Sequence, residues 1–239
     1  MKILSIGNSF SVDAHAYLKG VCDAAGVEIY AANLYIGGCS LVRHYNNMIS
    51  NADEYVLYVN GSSTGKNISI DDALDMDEWD VITFQESSLM SVRLANFEPY
   101  ITHLIAHAKE KHPRAKIAIH QTWGYGNAAL GTIKNLGFLT PEEMFDAVEK
   151  NYVAISKSVG ADIFIPSGRV LKRLYAEGYN VHLEDGRHAG RGIGRYALAL
   201  TWLKVLFGTG VRGNSFDNFE IPISNEEKEA VLRALEDIL

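Results

Sequence analysis

The sequence predicts an α/β fold: a three-layer α/β/α, doubly wound structure around a mostly parallel sheet of five strands. The first observation is that short apolar runs alternate with longer helical patterns along the chain, as in parallel sheets whose strands are connected by helices. The second is that residues 80–84 form a short apolar run of the kind expected for a buried strand. The third is the length of 239 residues, which suits one domain with a sizeable core and leaves little for a second.

Each predicted strand is a short apolar run bounded by glycine, proline or polar residues. The five strands are residues 2–6, 27–35, 80–84, 116–120 and 161–165. A β-hairpin is predicted in addition at about residues 54–70, where two β-like runs flank a segment of glycine, serine and threonine at 61–65. We interpret this hairpin as a surface insert in a single domain over residues 1–239.

The predicted helices lie between these strands and carry recognisable boundary signals. Gly26 ends the first helix, Ser40 is placed to cap the second, and Thr140-Pro141 opens a later one. The predicted helices are residues 12–25, 41–49, 97–111, about 140–159, 170–177, 193–207 and 225–238.

Composition excludes several classes of function. A formal net charge of −7 argues against nucleic acid or an anionic membrane surface as the main partner, because both favour a basic face. No apolar stretch approaches the length of a membrane span, and two cysteines fit no zinc framework. No signal peptide precedes the first strand. We therefore expect a soluble, cytoplasmic protein, or an exported one if a leader has been removed from the chain.

A serine at the end of the first strand is the first candidate for chemistry. Ser9 follows the run Ile3–Ile6 directly, at the carboxyl end where open α/β sheets place their sites. Free backbone N–H groups at the start of the following helix could stabilise a negative oxygen beside it. The same sequence is also compatible with a structural helix cap or a phosphate-binding loop, so this segment alone does not establish catalysis.

Near the end of the chain, Asp185-Gly186-Arg187-His188 supplies the partners that an activated serine needs. A neutral His188 can accept the serine proton, and Asp185 can fix the tautomer of its ring and stabilise the imidazolium. Two alternatives remain for this segment. It could be a polar surface turn, or His182, Asp185 and His188 could bind a metal, although no further ligand cluster completes such a site.

Four motif blocks in this order resemble those of the SGNH (GDSL-like) hydrolases. They are Gly7-Asn8-Ser9-Phe10-Ser11, Ile36-Gly37-Gly38-Cys39-Ser40, Phe84-Gln85-Glu86-Ser87-Ser88 and Asp185-Gly186-Arg187-His188. Each block is unspecific alone, but their order covers nearly the whole chain. Asn8, an uncharged residue, stands where the family has aspartate. This difference should leave the catalytic serine, histidine and aspartate of the family intact. The third block lacks the asparagine of the family.

The resemblance implies a catalytic triad of Ser9 as nucleophile, His188 as general base and then acid, and Asp185 as its orienting partner. It implies an oxyanion hole made by the backbone N–H groups of Ser9 and Gly38 and by a side-chain amide. Carbohydrate acetylesterase relatives have a glutamine in a similar Gln-x-Glu-Ser context, so Gln85 is the expected third donor and Ser87 the alternative. No metal or other cofactor is implied.

These observations predict a serine esterase that cleaves a carboxylic ester through an acyl-Ser9 intermediate. The glutamine-bearing relatives favour O-acetyl groups on a carbohydrate as the substrate. The main alternative is a protein of the same fold that binds a carbohydrate or a phosphate without catalysis, using residues 7–11 at the helix start. A metal-assisted hydrolase based on His182, Asp185 and His188 is a third interpretation, which a chelator would test.

Overall fold

The computed structural model describes residues 1–209 and 211–239. Its centre is a seven-stranded sheet in the order β4-β3-β2-β1-β5-β6-β7. The strands are β1 Lys2–Gly7, β2 Tyr30–Tyr35, β3 Tyr55–Val59, β4 Ser62–Ile68, β5 Val81–Phe84, β6 Lys116–His120 and β7 Ile163–Ile165. Strands β2, β1, β5, β6 and β7 pair in parallel, so their carboxyl ends meet at one edge. The predicted α/β class with a mostly parallel sheet is confirmed.

Helices cover both faces of this sheet. Helix α9 contacts α1, α2, α8 and α10, whereas α3, α4 and α5 contact one another. The helices are α1 Ser9–His15, α2 Leu18–Ala24, α3 Leu41–Ser50, α4 Ile70–Asp75, α5 Tyr100–Lys111, α6 Leu130–Asn135, α7 Pro141–Ser158, α8 Ser167–Ala176, α9 Ile193–Phe207 and α10 Asn225–Ile238. Helix α9 is apolar on nearly every side because its neighbours bury the side that faces away from the sheet.

The strand count of five was wrong, because the predicted hairpin joins the main sheet. Strand β3 pairs antiparallel with β2, and β4 pairs antiparallel with β3 at the outer edge. The turn is Asn60-Gly61, with φ of 48° and 81°, which matches the two-residue hairpin turn that requires positive φ at both positions. Residues 62–65, expected in the turn, therefore belong to β4, an exposed edge strand whose polar side chains obscured its β character.

The predicted helix 12–25 is interrupted. Helix α1 ends at His15 and α2 begins at Leu18, with Tyr17 between them at a φ of −113° and a ψ of 1°. The Tyr17 hydroxyl contacts the carbonyl of Arg191 and accepts from the N–H of Glu220 at 2.9 Å, and its ring packs against Phe216. These distant contacts fix Tyr17 in a conformation that helical periodicity alone does not indicate.

No helix in the described ranges 1–209 and 211–239 is long and apolar enough to cross a membrane.

Candidate active site

Folding brings Ser9, His188 and Asp185 into one hydrogen-bonded row. Ser9 is the first residue of α1, and its Oγ lies 2.9 Å from His188 Nε2. His188 Nδ1 lies 2.5 Å from Asp185 Oδ2. With the ring proton on Nδ1, the histidine donates to the carboxylate and accepts from the serine hydroxyl, which is the arrangement required of a general base.

Asp185 holds its own loop as well as the histidine ring. Its Oδ1 accepts from the N–H groups of Arg187 at 2.8 Å and His188 at 3.0 Å. Partial burial acts to raise the pKa of Asp185, but these backbone donors and the His188 ring outweigh it and hold the pKa below the usual value. The carboxylate is therefore ionised at neutral pH, as a partner for an imidazolium must be.

The loop that carries Asp185 and His188 is braced from several sides. Trp123 Nε1 donates to the carbonyl of Arg187 at 2.8 Å, and the N–H of Ala189 donates to Asp13 Oδ2 at 2.9 Å. Phe10 stacks on Trp123 at a ring distance of 4.2 Å and meets the His188 ring edge-on at 5.7 Å. Trp123 is fully buried. Its role is to support the loop, and it offers no face on which a sugar could stack.

Asn8 connects three parts of the site. Its Oδ1 accepts from the N–H of Phe10 at 3.0 Å, which caps α1, and from Gln85 Nε2 at 2.8 Å. Its Nδ2 donates to the carbonyl of Cys39 at 3.0 Å, in the loop that follows β2. An aspartate could accept the first two hydrogen bonds but could not donate the third. The asparagine at this position therefore connects the start of α1, where Ser9 lies, to the Gly38 loop.

Two backbone N–H groups are available for an oxyanion. Within the described residues, neither the Ser9 N–H nor the Gly38 N–H donates to another group of the protein. Ser9 begins a helix, where the first N–H groups have no intrahelical acceptor. Gly38 has a φ of +62°, a conformation that other residues adopt at a cost. Two such N–H groups beside the Ser9 hydroxyl could stabilise the negative oxygen of a tetrahedral intermediate.

The contacts of Gln85 differ from those expected of an oxyanion donor. Its side chain is 2% exposed. The Nε2 donates to Asn8, and Oε1 accepts from His120 Nδ1 at 2.7 Å, while His120 Nε2 lies 3.0 Å from Ser167 Oγ. Burial lowers the pKa of His120 to about 3, so its ring is neutral and can serve as donor on one side and acceptor on the other. Gln85 thus supports Asn8 from beneath the site.

His182 is not brought to the other two proposed metal ligands. Its Nε2 lies 2.9 Å from the carbonyl of Gly124, and its ring packs against Phe145 and Tyr175. In the part of the chain that the structure describes, no three His, Cys, Asp or Glu side chains are grouped as a metal site would require. The third interpretation therefore has no geometric support.

We predict that Asn8→Asp lowers kcat for ester hydrolysis by about 10- to 100-fold with a smaller effect on KM, because the carboxylate repels the Cys39 carbonyl and displaces the Gly38 N–H. The measurement is steady-state hydrolysis of p-nitrophenyl acetate. Asn214→Asp is a matched control, since Asn214 Oδ1 accepts from Phe216 N–H and its Nδ2 donates to the Val21 carbonyl. Unchanged kcat in Asn8→Asp would contradict this role of Asn8.

Comparison with known proteins identifies a family. The family model described as "Domain of unknown function (DUF4886)" matches residues 2–234. A crystal structure of a DUF4886 family protein from Bacteroides uniformis is 30% identical in sequence, covers 99% of this chain and 93% of its own, and superposes with a TM-score of 0.90. No curated protein sequence matches the chain.

More distant structural neighbours include enzymes. A variant of an acetyl xylan esterase from Geobacillus stearothermophilus has 15% identity and a TM-score of 0.60, covering 89% of this chain and 97% of its own. A family 3 carbohydrate esterase from Clostridium thermocellum has 15% identity and a TM-score of 0.52, covering 87% and 96%. At these identities the likeness establishes a common fold, and the resemblance to the SGNH (GDSL-like) superfamily is confirmed at that level.

Proposed function

Because the chain belongs to the DUF4886 family and has the SGNH hydrolase fold, we propose that it is a serine hydrolase that cleaves a carboxylic ester through an acyl-Ser9 intermediate. One observation carries this proposal: the continuous row of Ser9, His188 and Asp185 lies beside two backbone N–H groups that have no acceptor in the described residues. A protein that only binds a ligand would not need a histidine base and an orienting carboxylate hydrogen-bonded in a row with a serine.

Acylation begins when Ser9 Oγ attacks the ester carbonyl carbon and gives its proton to His188 Nε2. The carbonyl oxygen becomes negative and accepts from the N–H groups of Ser9 and Gly38. As the tetrahedral species collapses, the bond to the alcohol oxygen breaks and His188 returns the proton to that oxygen. The alcohol leaves, and the acyl group remains on Ser9.

Deacylation repeats these steps with water. His188 takes a proton from the water, whose oxygen attacks the acyl carbon, and the proton then goes to Ser9 Oγ as the acid is released. Asp185 stays ionised throughout and stabilises the imidazolium in both halves of the reaction. Of the two side chains considered as a third oxyanion donor, the Gln85 amide is engaged with Asn8 and His120, and the Ser87 hydroxyl hydrogen-bonds to the Glu86 carboxyl.

The proposed substrate is an O-acetylated carbohydrate. Support comes from the acetyl xylan esterase and the carbohydrate esterase that share the fold, and from the Gln-Glu-Ser sequence after β5. The net charge of −7 also favours a neutral ester over a strongly anionic one. Attack at an acetyl carbonyl requires no deep acyl pocket.

The test is covalent trapping of the nucleophile. We expect a p-nitrophenyl alkylphosphonate to release p-nitrophenolate stoichiometrically and to add its phosphonyl group to the peptide that contains Ser9. Labelling should be absent in Ser9→Ala and unaffected by a chelator. Acetate release from acetylated xylo-oligosaccharides then tests the substrate. Labelling at another residue, or none with retained esterase activity, would refute the acyl-Ser9 mechanism.

A further inference from the structure

The mechanism leaves one buried carboxylate beside the site without a role. Glu86 is 1% exposed and follows Gln85 at the end of β5, next to the strand that delivers Ser9. Among the described residues it forms no ion pair. A carboxyl group taken out of water in this way costs free energy unless hydrogen bonds compensate, so its partners indicate what it is there to hold.

One oxygen of Glu86 accepts from two backbone segments of the site. The N–H of Leu41 donates to Oε1 at 3.0 Å, and the N–H of Ser87 donates to the same oxygen at 2.6 Å. Leu41 is the first residue of α3, directly after the loop that carries Gly38. Ser87 is the alternative third oxyanion donor. The carboxyl group therefore joins the two sides between which the ester oxygen would lie.

Helix α3 depends on Glu86 for its cap. Ser40 occupies the N-cap position, but its side chain makes no capping hydrogen bond, unlike Ser69 in α4, Thr140 in α7 and Ser224 in α10. Glu86 takes its place from the segment that follows β5. A cap supplied from within a loop stabilises the helix alone, whereas a cap supplied from β5 also fixes the helix start relative to the sheet.

Glu86 itself is held rigidly. Its N–H donates to the Tyr152 hydroxyl at 2.9 Å, and that hydroxyl donates back to the Glu86 carbonyl at 3.2 Å. Thr122 Oγ1 donates to the same hydroxyl at 3.1 Å. Asn8 holds the carbonyl of Cys39, the residue that directly follows Gly38. The short segment from Cys39 to Leu41 is therefore anchored at both ends by side chains from the strands on which the chemistry is built.

We propose that Glu86 is a positioning residue for the oxyanion hole: through the Leu41 and Ser87 N–H groups it holds the Gly38 loop at the distance from Ser9 that the transition state requires. The inference rests on the proposed esterase function. It assigns Glu86 no contact with the substrate and no proton transfer. We expect the Glu86 side chain to act by accepting these two hydrogen bonds, and we expect its negative charge not to be needed.

The variants Glu86→Gln and Glu86→Ala separate these properties, because glutamine keeps an oxygen acceptor and alanine removes it. With p-nitrophenyl acetate we expect Glu86→Ala to lower kcat by about 100-fold with KM changed by less than about threefold, the pattern of an interaction made in the transition state. Glu86→Gln should retain kcat within about fivefold. Equal loss in both variants, or loss in neither, would overturn the proposal.

Ser69→Ala is the matched control for a lost helix cap. Ser69 Oγ accepts from the N–H of Asp72 at 3.1 Å in α4, which carries no group of the site. Both alanine variants should lower the midpoint of urea unfolding by similar amounts, and only Glu86→Ala should lower kcat. A fall in kcat of the same size in Ser69→Ala would show that stability, and not position, is responsible.

A readout without substrate separates this inference from the proposed function. Amide hydrogen exchange of residues 37–41 should become faster in Glu86→Ala than in wild type or Ser69→Ala, with the Leu41 amide affected most. If the wild type hydrolysed no ester while this exchange pattern appeared, the enzyme assignment would fail and the anchoring role would stand. Unchanged exchange in an active enzyme would reject the anchoring role alone.

Discussion

Ser9→Ala and His188→Ala are each expected to lower kcat/KM for p-nitrophenyl acetate by about 10⁵-fold, and the double variant is expected to be no slower than either. In the proposed mechanism Ser9 and His188 act as one unit, since the hydroxyl is a nucleophile only when Nε2 accepts its proton and that acceptor serves no purpose without the hydroxyl. Their separation of 2.9 Å is the structural basis of this expectation.

The controls are a serine and a histidine that lie away from the triad. Ser62 begins the exposed edge strand β4, and His103 is exposed on α5, so Ser62→Ala and His103→Ala should leave kcat/KM unchanged. Rate losses that multiplied in the double variant would mean that Ser9 and His188 contribute independently, which is incompatible with a shared proton-transfer step. The residual rate would measure what the Ser9 and Gly38 N–H groups contribute by themselves.

Much of the fold could be predicted because local signals agreed with the tertiary structure. Helices α9 and α10 have the predicted bounds, and β6 also matches. The capping box at Ser224 and Glu227 explains why the start of α10 was clear from the sequence. Strand β4 was less predictable, because an edge strand with an exposed polar surface gains its stability from pairing with β3, and pairing leaves no apolar pattern.

The three residues of the proposed triad could be selected from the sequence because their chemistry and order are distinctive. The support around them could not. Gln85 was expected to face the substrate, but the direction of an amide side chain depends on which partners the fold presents, here Asn8 and His120. Glu86 gave one overlooked signal: it is a charged residue only two positions after the buried strand β5.

Both unpredicted contributions serve the same segment. Asn8 and Glu86 come from the ends of adjacent parallel strands, β1 and β5, and both reach to the loop after β2. The loop contributes a backbone N–H, a group that every residue except proline supplies, so apart from the positive φ at Gly38 its sequence does not fix the position of that N–H. Side chains from neighbouring strands must provide the positional accuracy, and a motif search centred on the loop does not reveal them.

The protein is expected to lose stability steeply as the pH falls below 6.5. Three histidines, His15, His44 and His120, are each at most 1% exposed. Burial lowers their pKa values to about 4, 3 and 3, respectively. In the unfolded chain they take up protons near pH 6.5, so between that pH and about 4 the unfolded state binds more protons than the native state. The stability that they contribute is present above pH 6.5 and is lost on acidification.

Glu86 has the opposite effect on the pH dependence of stability. Burial raises its pKa to about 7, against the hydrogen bonds from Ser87 and Leu41, so the native state keeps a proton that the unfolded chain releases above pH 4.5. Its contribution is therefore lost as the pH rises. Burial also raises the pKa of Asp13 and lowers that of His182, and these two act in opposite directions. Near pH 5.5 the unfolded state therefore binds about two protons more than the native state. The free energy of unfolding falls by about 3 kcal/mol for each pH unit of acidification.

Urea unfolding at pH 7.5, 6.5, 5.5 and 5.0 measures this slope. Since small domains are stable by about 5–15 kcal/mol, we expect the protein to unfold without denaturant by about pH 4. His44→Phe should flatten the slope by about one proton, because phenylalanine cannot take up the proton that His44 binds in the unfolded chain. It keeps an aromatic ring against Tyr55 and loses the 2.9 Å hydrogen bond between His44 Nδ1 and the Tyr55 hydroxyl. Ser62→Ala, at an exposed position without a titratable group, should leave the slope unchanged. Constant stability between pH 7.5 and 5.0 would show that these buried histidines gain protons in the native state, which would require water or a carboxylate to reach them.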